Sequence, residues 1–267
     1  MERILFLGTG GDVYTIGKQK RASGGIIINT EDIQFHIDPG PGSLIMAKEN
    51  NINPRDTTCL ILTSTEMNLC NDVNCMIEAM THNGLDKRGV LIANDLLYNG
   101  NELITPFITK YHKECVEKSI SVLHNKKIGI NDIEIKTLPC YGNNNIGIKM
   151  LTKNYTIVYS SKTEYNQNLI DDYKQTDILI LNVLNPGKIK TEGNLNVDDV
   201  IEITKKVKPQ LLIITGFGIK MMNADVLNET RRIQKETSVQ TIAAKDGLSI
   251  DPINLNARRK QKVLKNY

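Results

Sequence analysis

Three strand-length apolar runs, at 4–7, 25–29 and 33–37, precede any good helical pattern in this chain. Gly8-Thr9-Gly10-Gly11 makes a sharp turn after the first run, and Asp38-Pro39-Gly40-Pro41-Gly42 stops the third. Ser43 then fits as N-cap of a short helix over 44–50, and the unbroken apolar run 58–62 is of the type buried on both faces. Val73, Met76, Ile77 and Met80 recur at spacings of three and four, which predicts a helix over 71–82 ended by Gly84. A strand at 90–93, a helix over 110–119 and a hairpin within 128–138, turning at Asn131-Asp132, complete the first half.

The second half repeats the style, with strands at 146–151, 155–160, 178–183, 211–215, 240–244 and 248–250. Helices are expected at 165–173, 198–206 and 224–236. Two half-sets of strands, each with helices outside, imply an α/β fold of four layers, an αββα sandwich. No linker is long enough to separate two domains, so residues 1–250 read as one domain and 251–267 as a tail.

Composition limits what such a domain does. At 267 residues, 40% hydrophobic and 24% charged, the chain can bury a sizeable core, and disorder is excluded as its general state. No apolar stretch approaches membrane-spanning length, and Met1-Glu2-Arg3 runs straight into a strand, without a signal-peptide layout. A cytoplasmic protein with no membrane partner is expected. The cysteines at 59, 70, 75, 115 and 140 are odd in number, irregularly spaced and without a CxxC pair, which favours reduced, structural thiols. Residues 251–267 carry Arg258, Arg259, Lys260, Lys262 and Lys265 against Asp251, so a basic tail hangs on a nearly neutral body. It is a candidate attachment element for an acidic protein surface or nucleic acid, or a solvated aid to solubility.

The Gly8-Thr9-Gly10-Gly11 turn, Asp38-Pro39-Gly40-Pro41-Gly42 and the strand ending at Leu62-Thr63 resemble the metallo-β-lactamase superfamily. The resemblance runs from about residue 3 to 250. It is closest to archaeal and bacterial hydrolases related to the tRNA 3′-processing nucleases, which have counterparts of Lys87-Arg88-Gly89-Val90, Val207-Lys208-Pro209 and Phe217-Gly218. It implies two metal ions, usually zinc, held by a His-x-His-x-Asp-His loop and by later His, Asp and His ligands, which lower the pKa of a bridging water.

On that resemblance the ligand loop begins at position 64, where the chain has Ser64, Glu66, Asn68 and Leu69 in place of His, His, Asp and His. Cys140 stands for the third histidine, Lys162 for the bridging aspartate and Gly216 for the last histidine. Asn194 replaces the histidine that assists phosphodiester cleavage in the nucleases. A cation at 162 repels metals by charge alone. Asp38 matches the family, where it supports the ligand loop as a structural group. His36, His82, His112 and His124 show no His-x-His or i, i+4 pairing and read as surface or satisfied core residues.

The resulting expectation is a pseudoenzyme with no metal and no cofactor, serving as a structural or regulatory subunit that binds another protein. Glu66 and Lys162 are expected to pair in the vestigial pocket. Two alternatives stand beside this reading. One is a hydrolase of phosphodiesterase or thioesterase type, rebuilt around a single metal on Glu66, Cys70 and Cys140. The other is a non-cleaving nucleic-acid binder, which lacks support from aromatic or basic recognition motifs.

Overall fold

A computed structural model describes residues 2–30 and 32–254, and the basic residues of the tail lie outside them. Strand β1 (Arg3–Phe6) leads through the glycine turn to α1 (Val13–Gly17), followed by β2 (Ile26–Asn29), β3 (Gln34–Ile37) and α2 (Ser43–Glu49). Then come β4 (Thr57–Leu62), α3 (Met67–Cys70), α4 (Val73–Thr81), β5 (Val90–Asn94), α5 (Asp95–Asn99), α6 (Lys110–Cys115) and β6 (Lys118–Val122). The second half holds β7 (Lys127–Ile130), β8 (Ile133–Pro139), β9 (Ile146–Leu151), β10 (Thr156–Tyr159), α7 (Asn168–Tyr173), β11 (Ile178–Asn185) and β12 (Leu195–Asn196). It closes with α8 (Val197–Val207), β13 (Leu211–Thr215), α9 (Ile219–Asn223), α10 (Val226–Thr237), β14 (Gln240–Ala243) and β15 (Ser249–Ile250).

The strands form two sheets, ordered β15-β1-β2-β3-β4-β5-β6 and β14-β13-β11-β10-β9-β8-β7, with β12 added beside β11. The runs β15-β1-β2-β3 and β10-β9-β8-β7 are antiparallel, and the runs β3-β4-β5-β6 and β14-β13-β11-β10 are parallel, with helices in the crossovers. Alternation along the strands sorts side chains by layer. Ile4, Phe6, Cys59, Ile61, Ile178 and Ile180 point between the sheets, where they meet Ile135, Ile148 and Ile157. Leu179, Leu181, Leu212 and Ile214 face outward onto α7, α8 and α10, while Leu60, Leu62 and Leu91 face α4 and α6. Isoleucine thus predominates where two pleated surfaces meet, as its branched Cβ favours, and leucine where a sheet meets helices. This is the four-layer αββα sandwich that the pattern of elements implies. Among the described residues, no helix is long and apolar enough to cross a membrane.

Several local expectations are corrected. Ser43 is the first residue of α2 rather than its cap, and the cap position is Gly42 with φ +85°. The open amides of Gly42 and Ser43 both donate to Asp72 Oδ2, at 2.8 and 2.9 Å. The helix expected over 110–119 ends at Cys115, because Val116 turns to extended backbone and residues 118–122 pair with β5. The hairpin, by contrast, turns at Asn131-Asp132 as expected, with Asn131 in the left-handed region at φ +50°.

Candidate functional site

The residues singled out from the sequence gather mainly around the carboxyl ends of β3, β4, β8, β10 and β13, the usual place for a crevice in parallel sheets. Asp38 closes β3 in the left-handed region, at φ +53°. Its Oδ1 accepts the Thr63 amide at 2.7 Å and its Oδ2 the Thr63 hydroxyl at 2.6 Å, which fixes the exit of β4. Thr63 Oγ1 also lies 2.7 Å from Ser161 Oγ, linking the exits of the two sheets. The Tyr159 hydroxyl joins Asp38 and Asn182. Burial raises the Asp38 carboxyl to about 7, although its hydrogen bonds to Thr63 and Tyr159 and the nearby Lys162 charge pull it down. Asp38 thus ties the end of β3 to the exit of β4.

Lys162 is almost wholly buried, its side chain only 4% exposed, and its ammonium meets the Glu66 carboxylate. Asn68 Oδ1 stands 3.4 Å from the same nitrogen. Ser64 Oγ accepts the Glu66 amide at 3.1 Å, shaping the turn that swings the Glu66 side chain over the pocket. The expected pair is present, but it is lopsided: the Glu66 side chain is 45% exposed. One end of the bridge is dry and the other wet.

Gly216 has φ +70°, and a Cβ there would stand 1.5 Å from Asn182 Oδ1. The amide of Asn182 therefore occupies the space that a side chain at 216 would need. Cys140 Sγ donates to Ser160 O at 3.3 Å, and burial together with Asp38 keeps its thiol protonated. Leu69 lies against a cavity of about 20 Å³ that Asp38, Asn68, Tyr159, Asn182 and Gly216 also line, which is room for a single water. Asn182 Oδ1 is buried without a hydrogen-bond partner. Asn194 stands apart from this group, with its Nδ2 donating to Glu192 O at 2.8 Å. The glycine turn is no phosphate cradle either. The Gly10 amide donates to Ala22 O and the Gly11 amide to Phe217 O, both at 2.9 Å.

The sequence reading did not give roles to Tyr159, Asn182, Thr63 and Ser161, which fill and brace the cleft. A signal existed for Asn182, the one polar residue inside the apolar run 178–184.

This donor set does not fit the metal pair that the fold houses elsewhere. Gly216 offers no ligand, Leu69 offers hydrocarbon, and Lys162 places a cation where metal charge would stand. The one-metal alternative on Glu66, Cys70 and Cys140 fares no better. Glu66 is engaged by Lys162, Cys140 faces a carbonyl, and burial with the Asp38 and Glu66 charges pushes the Cys70 thiol up to about 12. Among the described residues, no three His, Cys, Asp or Glu side chains are grouped to hold a metal ion.

The architecture and the position of the cleft define a metallo-β-lactamase-fold protein whose ligand positions carry other chemistry. Within that class, the chain belongs to the family of the uncharacterized protein MJ1374 of Methanocaldococcus jannaschii, with which it is 31% identical over 255 residues, covering 94% of this chain and 95% of that one. Among solved structures it is similar to the metallo-β-lactamase fold protein YhfI of Bacillus subtilis, with a TM-score of 0.77 at 15% identity over 93% of this chain and 98% of that one. It is also similar to the short form of human tRNase Z, with a TM-score of 0.68 at 11% identity, covering 93% and 98% of the two chains. No protein-family model matches the sequence.

Proposed function

We propose that this protein is a non-catalytic member of its fold class, a structural or regulatory subunit that works in the cytoplasm by binding another protein. The observation that carries this reading is the buried Lys162 ammonium, held by Glu66 and Asn68 in the cleft where a hydrolase of this fold would concentrate metal charge. An internal cation balances the Glu66 carboxylate without recruiting an ion, and it opposes the metal charge that would activate a water in this cleft. The basic side chains Arg258, Arg259, Lys260, Lys262 and Lys265 belong to the proposal as a second point of attachment.

The test is the metal content of protein purified without chelators, measured by plasma mass spectrometry, together with turnover of a model phosphodiester and a model thioester. Less than about a tenth of a transition metal per chain and no turnover are expected. Near-stoichiometric metal with turnover would sink the proposal.

A further inference from the structure

The rim of the cleft carries a feature that the fold does not need. Val13 and Tyr14, adjacent on α1, leave 67% and 65% of their surface in water. The backbone beneath them is nonetheless held firmly. Asp12 caps α1 through the Thr15 amide at 2.6 Å and reaches the Ile219 amide, at the start of α9, at 2.9 Å. Gly11 N donates to Phe217 O and Phe217 N to Thr9 O, at 2.9 and 2.8 Å. The exposed pair is thus a fixed platform. Met67, also exposed, precedes Asn68, whose side-chain amide donates to Gly11 O at 3.4 Å, two residues before Val13.

The same rim is basic. Lys18 and Lys20 are exposed directly after α1, and Lys220 is exposed on α9, which packs against α1. Arg21 lies 3.5 Å from Thr9 Oγ1. Among the described residues, none of these four cations is in an ion pair. The nearby acids are committed: Asp12 to backbone amides, Glu66 to Lys162, and Asp246 to the Thr9 hydroxyl and the Ala22 amide. Lys18, Lys20, Arg21 and Lys220 against the carboxylates of Asp12 and Asp246 leave this rim net positive.

We propose that this rim docks an acidic amphipathic segment of a protein partner. Its apolar side chains would cover Val13, Tyr14 and Met67, and its carboxylates would face Lys18, Lys20 and Lys220. An apolar centre ringed by complementary charge is the usual anatomy of a recognition surface. Two of the three exposed apolar groups, Val13 and Met67, offer no face for stacking bases, so the chemistry fits a peptide better than a nucleic acid. The proposal rests on the reading of this chain as a protein-binding subunit and names the surface and the partner chemistry.

The experiment is fluorescence anisotropy on the full chain, with three labelled probes. They are a synthetic helical peptide with Leu along one face and Glu along the other, its Lys-for-Glu counterpart, and oligouridylate. Saturable binding of the acidic peptide is expected, weakened about tenfold in the double variant Val13→Ser/Tyr14→Ser and likewise in Lys18→Glu/Lys20→Glu. Lys118→Glu, at the far edge of the first sheet, leaves it unchanged. Absence of saturable binding, or equal binding by all variants, overturns the proposal. Tighter binding of oligouridylate through the same residues overturns it in favour of a nucleic-acid surface. The metal and turnover measurements fail independently: a metal-loaded, active protein that still binds the peptide refutes the non-catalytic reading alone.

Discussion

The Lys162–Glu66 bridge is unequal at its two ends, and that inequality makes its energetics testable. Removing Glu66 leaves an ammonium 4% exposed with the Asn68 carbonyl beside it and the buried Asp38 carboxyl nearby, so Glu66→Ala is expected to cost about 3 kcal/mol. Removing the ammonium leaves a carboxylate already 45% exposed, which water can solvate, so Lys162→Met is expected to cost about 1 kcal/mol or less. Denaturant unfolding of the two variants measures both, and equal losses would mean that the bridge is not lopsided in solution. A second pair, His36 and Asp38, shapes the response to pH. Burial lowers the His36 imidazole to about 4, while its Nε2 lies 2.7 Å from Gly24 O, and burial raises Asp38 to about 7. Between pH 4 and 6.5 the unfolded chain binds a proton at His36 that the native state refuses, so this term makes stability rise with pH. Asp38 acts oppositely, since the native state keeps a proton that the unfolded chain has released, and its term makes stability fall up to about pH 7. The two offset one another in the parent. Asp38→Asn is therefore expected to gain stability as pH rises from 4 to 6.5, by up to about 1.4 kcal/mol per pH unit, and His36→Gln to lose it over the same window. Thermal melts across that window decide the matter, and profiles parallel to the parent in both variants would refute the opposed assignment.

Among elements, the parallel pairing of β11 with β13 decides what stands at the old last-histidine position. Asn182 pairs in register with Thr215, so its side chain arrives beside Gly216. A Cβ at 216 meets Asn182 Oδ1 at 1.5 Å and must also accept φ +70°. Gly216→Ala is expected to cost about 3 kcal/mol or more, and the double variant Gly216→Ala/Asn182→Ala to recover the clash but not the ~1 kcal/mol of left-handed backbone strain. Urea midpoints of parent, single and double variants test this; no recovery in the double variant would show that the backbone alone forbids a side chain. Helix and strand signals of ordinary length were legible without the fold. Val73, Met76, Ile77 and Met80 all lie buried on α4, and Asn131 turns the hairpin as its residue type suggests. What escaped were elements without a periodic signal of their own. The helices α1, α3, α5 and α9 are four or five residues long, too short for a 3.6-residue period to declare itself. Strand β6 hides in a charged stretch and becomes a strand because β5 offers it an edge.

For the whole molecule, the two-sheet plan was written in the order of apolar runs, and the altered ligand positions became visible through family resemblance. The contacts made there were legible only in part. The Lys162–Glu66 pair, across 96 residues of chain, was expected from the positions that the resemblance assigns, whereas the contact of Asn182 with Gly216 depends on a sheet register that no local pattern carries. The same long-range closure predicts one cooperative unit. The layer between the sheets takes Ile61 and Ile92 from one sheet and Ile135, Ile148 and Ile180 from the other, and β15 brings the end of the described chain back onto β1. A cavity opened at Ile135 is therefore shared by both sheets. Ile135→Ala is expected to cost ~3 kcal/mol. On that prediction opening is global, and amide exchange should speed up by roughly a hundredfold both at Ile148, on the mutated sheet, and at Ile61, on the opposite one. Acceleration confined to the sheet that carries Ile135 would mean that the two halves open independently, and that the sandwich is two folding units sharing one interface.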